Sequence, residues 1–158
     1  MFGAFMKPVT CAVDPNPPSN PHPTRRQPRW NSAEGPDFFP RHVLVVDDEP
    51  LIRWSVSETL SDLGYDVEQA SDAASALRIV TTTFRPFEIV VLDLRLPDMN
   101  DLSLLGTIHQ LLPRAMIILI TAFRTPEIVA EATAWGAKII EKPFELGELS
   151  RLIAAPDH

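Results

Sequence analysis

The chain is short of the residues that hold small folds together by covalent or metal cross-links. Cys11 is its single cysteine, so neither an internal disulfide nor an all-protein Cys/His zinc site can form. Its four histidines are scattered and add no metal-ligand spacing. No apolar run approaches the roughly eighteen residues needed to cross a membrane. The opening MFGAFMKPVTCAV has one lysine, and Lys7 and Pro8 break its apolar patches, which makes a poor signal peptide. No internal repeat is visible. A reducing, cytoplasmic setting is the expectation.

What is present is unevenly distributed. Nine of the sixteen prolines fall in residues 1–41, together with five basic and three acidic residues. Residues 42–158 carry nine basic and eighteen acidic residues. A Pro-rich, slightly basic leader (1–41) therefore precedes an acidic domain (42–158) long enough for a sizeable core. Proline lacks the backbone donor and favours extended conformers, so the leader is expected to be disordered. Arg25, Arg26, Arg29 and Trp30 would suit a docking motif, although a solvated linker is the simpler account. The excess of carboxylates argues against non-specific DNA binding by the domain.

From His42 the pattern alternates between two periods. HVLVVD is a valine-rich run of the kind buried on both faces of a parallel sheet. After it, Leu51, Trp54, Val56 and Leu60 or Leu63 recur at roughly helical spacing. Pro50 suits the first turn there, and Gly64 the position past the helix end. YDVEQA predicts a second strand, and DAASALRIVTTT a second helix capped by Asp72. EIVVLD and AMIILI predict buried strands, separated by the helix DLSLLGTIHQLL. TPEIVAEATAWG, the short strand KII and ELGELSRLIAA complete five strands alternating with five helices. Such alternation implies right-handed crossovers and a doubly wound parallel α/β sheet. Function in these sheets sits at the carboxyl ends of the strands.

Four of the five strands deliver a polar group to that rim. The first ends in Asp47 and Asp48, followed by Glu49, and the third ends in Asp93. Thr121 follows the fourth, and Lys142 and Pro143 follow the fifth; the second ends blandly at Ala70 and Ser71. Each alone has an ordinary structural account: a helix cap, a turn, a solvated lysine. Their conjunction on one rim does not. Packed carboxylates repel and call for a hard cation, and Mg²⁺ is usually held by few carboxylates plus phosphate oxygens. An ammonium and a hydroxyl can hold phosphoryl oxygens, and a carboxylate between them can act as nucleophile, forming an acyl phosphate.

The runs VLVVDDEP, VVLDLRLPDM, LITA and EKPF resemble the receiver domain of two-component response regulators, in order and spacing, over about residues 42–155. The resemblance implies a flavodoxin-like sheet of order 2-1-3-4-5. It implies Asp93 as phosphoacceptor and Mg²⁺ as cofactor, held by Asp48 directly, Asp47 through water, Asp93 and the backbone carbonyl of Arg95. Thr121 matches the switch hydroxyl, Lys142 the phosphoryl-binding lysine, and the Lys142–Pro143 peptide is cis in typical members. Three departures stand out. Asn100 and Asp101 follow Met99 where a glycine is usual; both tolerate left-handed backbone. The segment between Ala137 and Lys142 is one residue short. Ile139 occupies the switch position usually held by Tyr or Phe, and the nearby Phe123 and Trp135 read as packing residues.

The implied partners are a histidine kinase or histidine phosphotransfer protein as donor and a downstream protein as target. No DNA-binding domain and no membrane association are expected. The chain would catalyse only its own phosphorylation and dephosphorylation, so it is not expected to be an enzyme on other substrates. A receiver cut from a larger transcription regulator is an alternative. A haloacid-dehalogenase-type phosphohydrolase would need an acid two residues past the nucleophile, where Arg95 stands. A phosphorylation-independent scaffold would have no reason to keep the mutually repelling carboxylates.

Overall fold

A computed structural model of the chain describes residues 39–155. Cys11, the Arg25–Trp30 cluster and all but the last three residues of the Pro-rich leader lie outside the described residues. The elements are β1 (His42–Val46), α1 (Pro50–Asp62), β2 (Asp66–Ala70), α2 (Ala73–Thr82) and β3 (Ile89–Asp93). They continue with α3 (Ser103–Leu111), β4 (Met116–Thr121), α4 (Pro126–Ala134), β5 (Lys138–Glu141) and α5 (Leu146–Ala154). All strand pairs are parallel, in the order β2-β1-β3-β4-β5. This is the expected flavodoxin-like order. Among the described residues no helix is long and apolar enough to cross a membrane.

The three inner strands are buried almost throughout because alternate residues feed two separate cores. Leu44, Val46, Val90, Leu92 and Leu119 face one side and meet α2 and α3 through Ala76, Leu105 and Ile108. Val43, Val45, Val91, Ile118 and Ile120 face the other and meet α1 and α5 through Val56, Leu60, Leu149 and Ile153. At the amino-terminal rim His42 stacks on Phe87 at 4.0 Å. Its ring nitrogens meet Glu68 Oε1 at 3.0 Å and the Arg85 carbonyl at 3.2 Å.

Helix α1 departs from the expected apolar face. Its sheet-facing stripe runs through Ile52, Val56 and Leu60, at intervals of four. Leu51 and Trp54 are turned away from that stripe and are 72% and 56% exposed. Pro50 opens the helix and Gly64 adopts a left-handed φ of 91° beyond its end. Asp72 caps α2 by accepting from Ser75 N, and Thr125 does the same for α4 through Ile128 N. The turn after β3 needs no left-handed residue, since among the described residues only Gly64 and Gly136 have positive φ. Asp101 instead accepts from Ser103 N at 2.9 Å, so α3 starts two residues later than its sequence pattern indicates. Trp135 packs against α3 at Gly106, where a Cβ would come within 3.3 Å of the indole.

Ile118, at the middle of β4, is fully buried. Truncation to alanine removes three carbons from a core that can collapse only in part. Ile118→Ala should lower unfolding free energy by about 3 kcal/mol. Urea denaturation checks this, and a loss near zero would show that β4 is not a central buried strand.

Candidate functional site

Parallel strands bring their carboxyl ends to one rim, and the ladder continues one step beyond the strands. Asp47 N donates to the Ala70 carbonyl at 3.2 Å, Leu94 N to Ile120 O at 3.0 Å, and Lys142 N to Thr121 O at 2.8 Å. The main chain of Asp47, Asp93, Thr121 and Lys142 is thus held by the sheet itself rather than by loops. The Lys142–Pro143 peptide is cis.

The side chains converge on the ammonium of Lys142. Its Nζ lies 2.9 Å from Asp93 Oδ2, 3.2 Å from Asp47 Oδ2 and 3.3 Å from Glu49 Oε1. The side chains of Asp47 and Asp93 are only 4% and 6% exposed, and that of Lys142 15%. Burial pushes the Asp47 carboxyl above its usual range; the Glu49 amide and Lys142 oppose this, while the Asp93 charge adds to it. Burial works against the Lys142 charge, but the hydrogen bond it donates to Asp93 and the charges of Asp47 and Asp93 outweigh it. The ammonium is held above the usual lysine range. The second oxygens of the two aspartates are fixed by main chain: Glu49 N donates to Asp47 Oδ1 at 2.8 Å and Arg95 N to Asp93 Oδ1 at 3.0 Å. Arg53 Nη1 adds a bond to the Asp47 carbonyl at 2.7 Å.

Above this cluster is a cavity of about 220 Å³ lined by Asp48, Glu49, Asp93, Arg95, Ala122 and Lys142. The ligand oxygens of Asp47, Glu49 and Asp93 all lie within 4.8 Å of one another. These are hard donors at a spacing one small divalent cation can bridge, so the residues fit Mg²⁺. Asp48, the expected direct ligand, is exposed and lines the cavity, but its carboxylate stands outside that group of three. Glu49 stands inside it. Its signal was available, since it directly follows the acidic pair at a strand end.

The Thr121 hydroxyl is turned to the following loop. Its Oγ1 accepts from Phe123 N at 3.0 Å and donates to Phe123 O at 3.1 Å. Phe123 is not a core residue: it is 51% exposed, and the Arg95 guanidinium stacks 4.2 Å from its ring centroid. Ile139 is partly buried against the core on the α2–α3 side.

Residues 43–154 match the family model for the response regulator receiver domain. The chain belongs to that family. The receiver is 38% identical over 114 residues to the probable transcriptional regulatory protein TcrX of Mycobacterium tuberculosis, covering 72% of this chain and 48% of that one. It is 32% identical over 108 residues to sporulation initiation phosphotransferase F of Bacillus subtilis, covering 68% of this chain and 86% of the relative. A CheY-like receiver structure from Methanospirillum hungatei superposes with a TM-score of 0.68 at 31% identity, covering 73% and 91%. The chain spans about half the length of relatives such as TcrX, and less of others such as the PilR response regulator of Pseudomonas aeruginosa, at 25%.

The receiver's rim holds two buried carboxylates against one ammonium, so removing the ammonium strands both. Lys142→Ala should cost about 3 kcal/mol of stability at neutral pH. Without Lys142 the Asp47 pKa, already raised, rises further above its unfolded value. The penalty is then fully present above that folded pKa and shrinks as acid protonates the group. Urea titrations at neutral pH and in mild acid check this; a loss that does not shrink in acid would contradict it.

Proposed function

We propose that this receiver takes a phosphoryl group from a phosphohistidine donor onto Asp93 and signals through protein–protein contacts. The observation that carries the reading is the Asp93 carboxylate. It is fixed at the end of the central strand, bonded to Lys142 and the Arg95 amide, at the floor of a cavity large enough for a phosphoryl group. An Asp93 oxygen attacks phosphorus, the phosphorus–nitrogen bond breaks, and the imidazole leaves with the electron pair. An acyl phosphate remains. Asp47, Asp48, Asp93 and the Arg95 carbonyl are the residues proposed to hold Mg²⁺, and the geometry adds Glu49. When bound, the ion neutralises charge shared by the carboxylates and the transferring oxygens.

Lys142 then holds a phosphoryl oxygen in place of Asp93. To donate to another, the Thr121 hydroxyl must leave the Phe123 carbonyl, which frees the loop that Phe123 occupies. Phe123 thereby takes the coupling role for which Ile139 has no ring. The donor is a histidine kinase or histidine phosphotransfer protein. An apolar groove of about 510 Å³, lined by Leu51, Ile52, Pro143, Phe144 and Leu146 and reaching Lys142, suits an apolar helix of such a donor. The receiver acts in the cytoplasm and catalyses only its own phosphorylation and its reversal.

A second reading is a receiver belonging to a larger transcription regulator, favoured by the relatives that the chain matches over about half their length or less. DNA contact would then fall to another domain, because this one is strongly acidic. Arg95 stands where an aspartyl phosphohydrolase needs its acid, which disfavours that class.

Incubation with Mg²⁺ and a small phosphodonor should add one phosphoryl group, found by peptide mass on Asp93. Asp93→Asn should abolish it, as should excess chelator. Label on another residue of that variant, or label in chelator, would overturn the reading.

The acyl phosphate should be long-lived. Its hydrolysis needs a water in line with the phosphorus–oxygen bond and a group to take the water's proton. Arg95 and Phe123, stacked beside the cavity, offer neither carboxylate nor amide. The double variant Arg95→Asn with Phe123→Glu should lose phosphate about tenfold or more faster. Decay of label after donor removal checks this, and an unchanged rate would refute the water-placement argument.

A further inference from the structure

Asp98 lies on the exposed turn between β3 and α3 and is not among the residues that line the acidic cavity, so the proposed function gives it no role. Its carboxylate is bound at both oxygens. Ala73 N donates to Oδ1 at 2.9 Å and Ala74 N donates to Oδ2 at 2.9 Å. These are the first two amides of α2, which have no partner within the helix. The third, Ser75 N, is taken by the helix's own cap, Asp72, at 2.7 Å, and the fourth, Ala76 N, by the Asp72 carbonyl at 3.1 Å. Asp72 therefore takes two of the first four amides of α2, and the other two go to a residue 24 or 25 positions away. The backbone donors hold the Asp98 carboxyl below its usual range, consistent with a charge fixed at the helix start.

The same contact fixes the loop that carries Arg95. Leu96 N donates to Met99 O at 2.9 Å and Met99 N to Leu96 O at 3.3 Å, closing a turn whose tip is Pro97 and Asp98. One end of this loop is held to the sheet, where Leu94 N meets Ile120 O. The other is held to α2 by Asp98. Arg95 sits between the two anchors, three residues before Asp98 and two after Asp93. We propose that Asp98 is a positioning residue: by clamping the turn to the start of α2 it orients the Arg95 carbonyl toward the metal position. The inference rests on the proposed Mg²⁺ site, but the clamp itself can be read without metal.

Compare Asp98→Ala, Asp98→Asn and Asp72→Ala. Asp72→Ala uncaps the same helix and removes no hydrogen bond to the loop; it takes away only a like charge that acts on Asp98. Hydrogen exchange of the Leu96–Leu102 amides, measured without metal, should speed up in Asp98→Ala, less in Asp98→Asn, and not in Asp72→Ala. Mg²⁺ affinity, read by calorimetry, should fall about tenfold in Asp98→Ala, less in Asp98→Asn, and stay unchanged in Asp72→Ala. If Asp72→Ala weakens Mg²⁺ as much as Asp98→Ala, or if both leave exchange and affinity unchanged, Asp98 is only a helix cap and the inference is wrong. If the parent protein binds no Mg²⁺, the proposed function fails on its own, and the exchange arm still decides the clamp. Should Asp98→Ala not fold, Asp98→Asn carries both measurements, and parental values in it overturn the proposal.

Discussion

Three carboxylates brought within one cation's reach are the constraint around which this domain is arranged. Two of them, on Asp47 and Asp93, are buried, and their repulsion would oppose folding if nothing answered it. The answer is Lys142, which must arrive from β5, two strands away from β3 in the sheet. The sheet order is therefore part of the electrostatics. Strand β1 beside β3 makes the acidic cluster, and β4 and β5 beyond it bring the hydroxyl and the ammonium. A different order would leave the acids without their counter-charge.

The apolar pattern makes this rim possible. β1, β3 and β4 are buried on both faces, so their ends are fixed by side-chain packing above and below the sheet. The ladder and its short continuations hold the main chain at the rim, with Arg53 adding a bond to the Asp47 carbonyl. This separates roles: the cores fix the three inner strands, and polar groups appear in those strands only at their ends. The loops after β3 and β4 then meet through Arg95 and Phe123, with Thr121 bonded to the second of them.

Much of this was legible in the residues. Valine- and isoleucine-rich runs separated by helical periods specify a parallel sheet, and its carboxyl rim specifies where Asp47, Asp93 and Lys142 meet, with Thr121 on the same rim turned to its own loop. The failures have physical reasons. On α1, Leu51 and Trp54 fit a helical period but stand off the stripe that faces the sheet, because periodicity alone does not say which face is covered. Asn100 and Asp101 stand where a glycine is usual and can tolerate left-handed backbone, but neither adopts it; the turn keeps ordinary dihedrals, and the Asp101 side chain accepts from Ser103 N. Glu49 stood on the rim in the sequence without a role, and Asp98 had none either, because exposed acids on turns have many uses and only coordinates show which amides or ammonium they touch. Phe123 looked like core filling, yet its ring is a platform for a cation.

The direction of the strands has one more effect. β1 begins at His42, on the rim opposite the acidic cavity, and five residues of strand set the two apart by about 16 Å. Helix α5 follows β5, whose end lies on the cavity rim, and so its last turn returns toward the side where His42 stands. Entry to and exit from the domain share one pole, and the chemistry occupies the other. Such a unit can be spliced between other segments as a cassette, with either flank joined to new chain while the cavity stays open at the far pole.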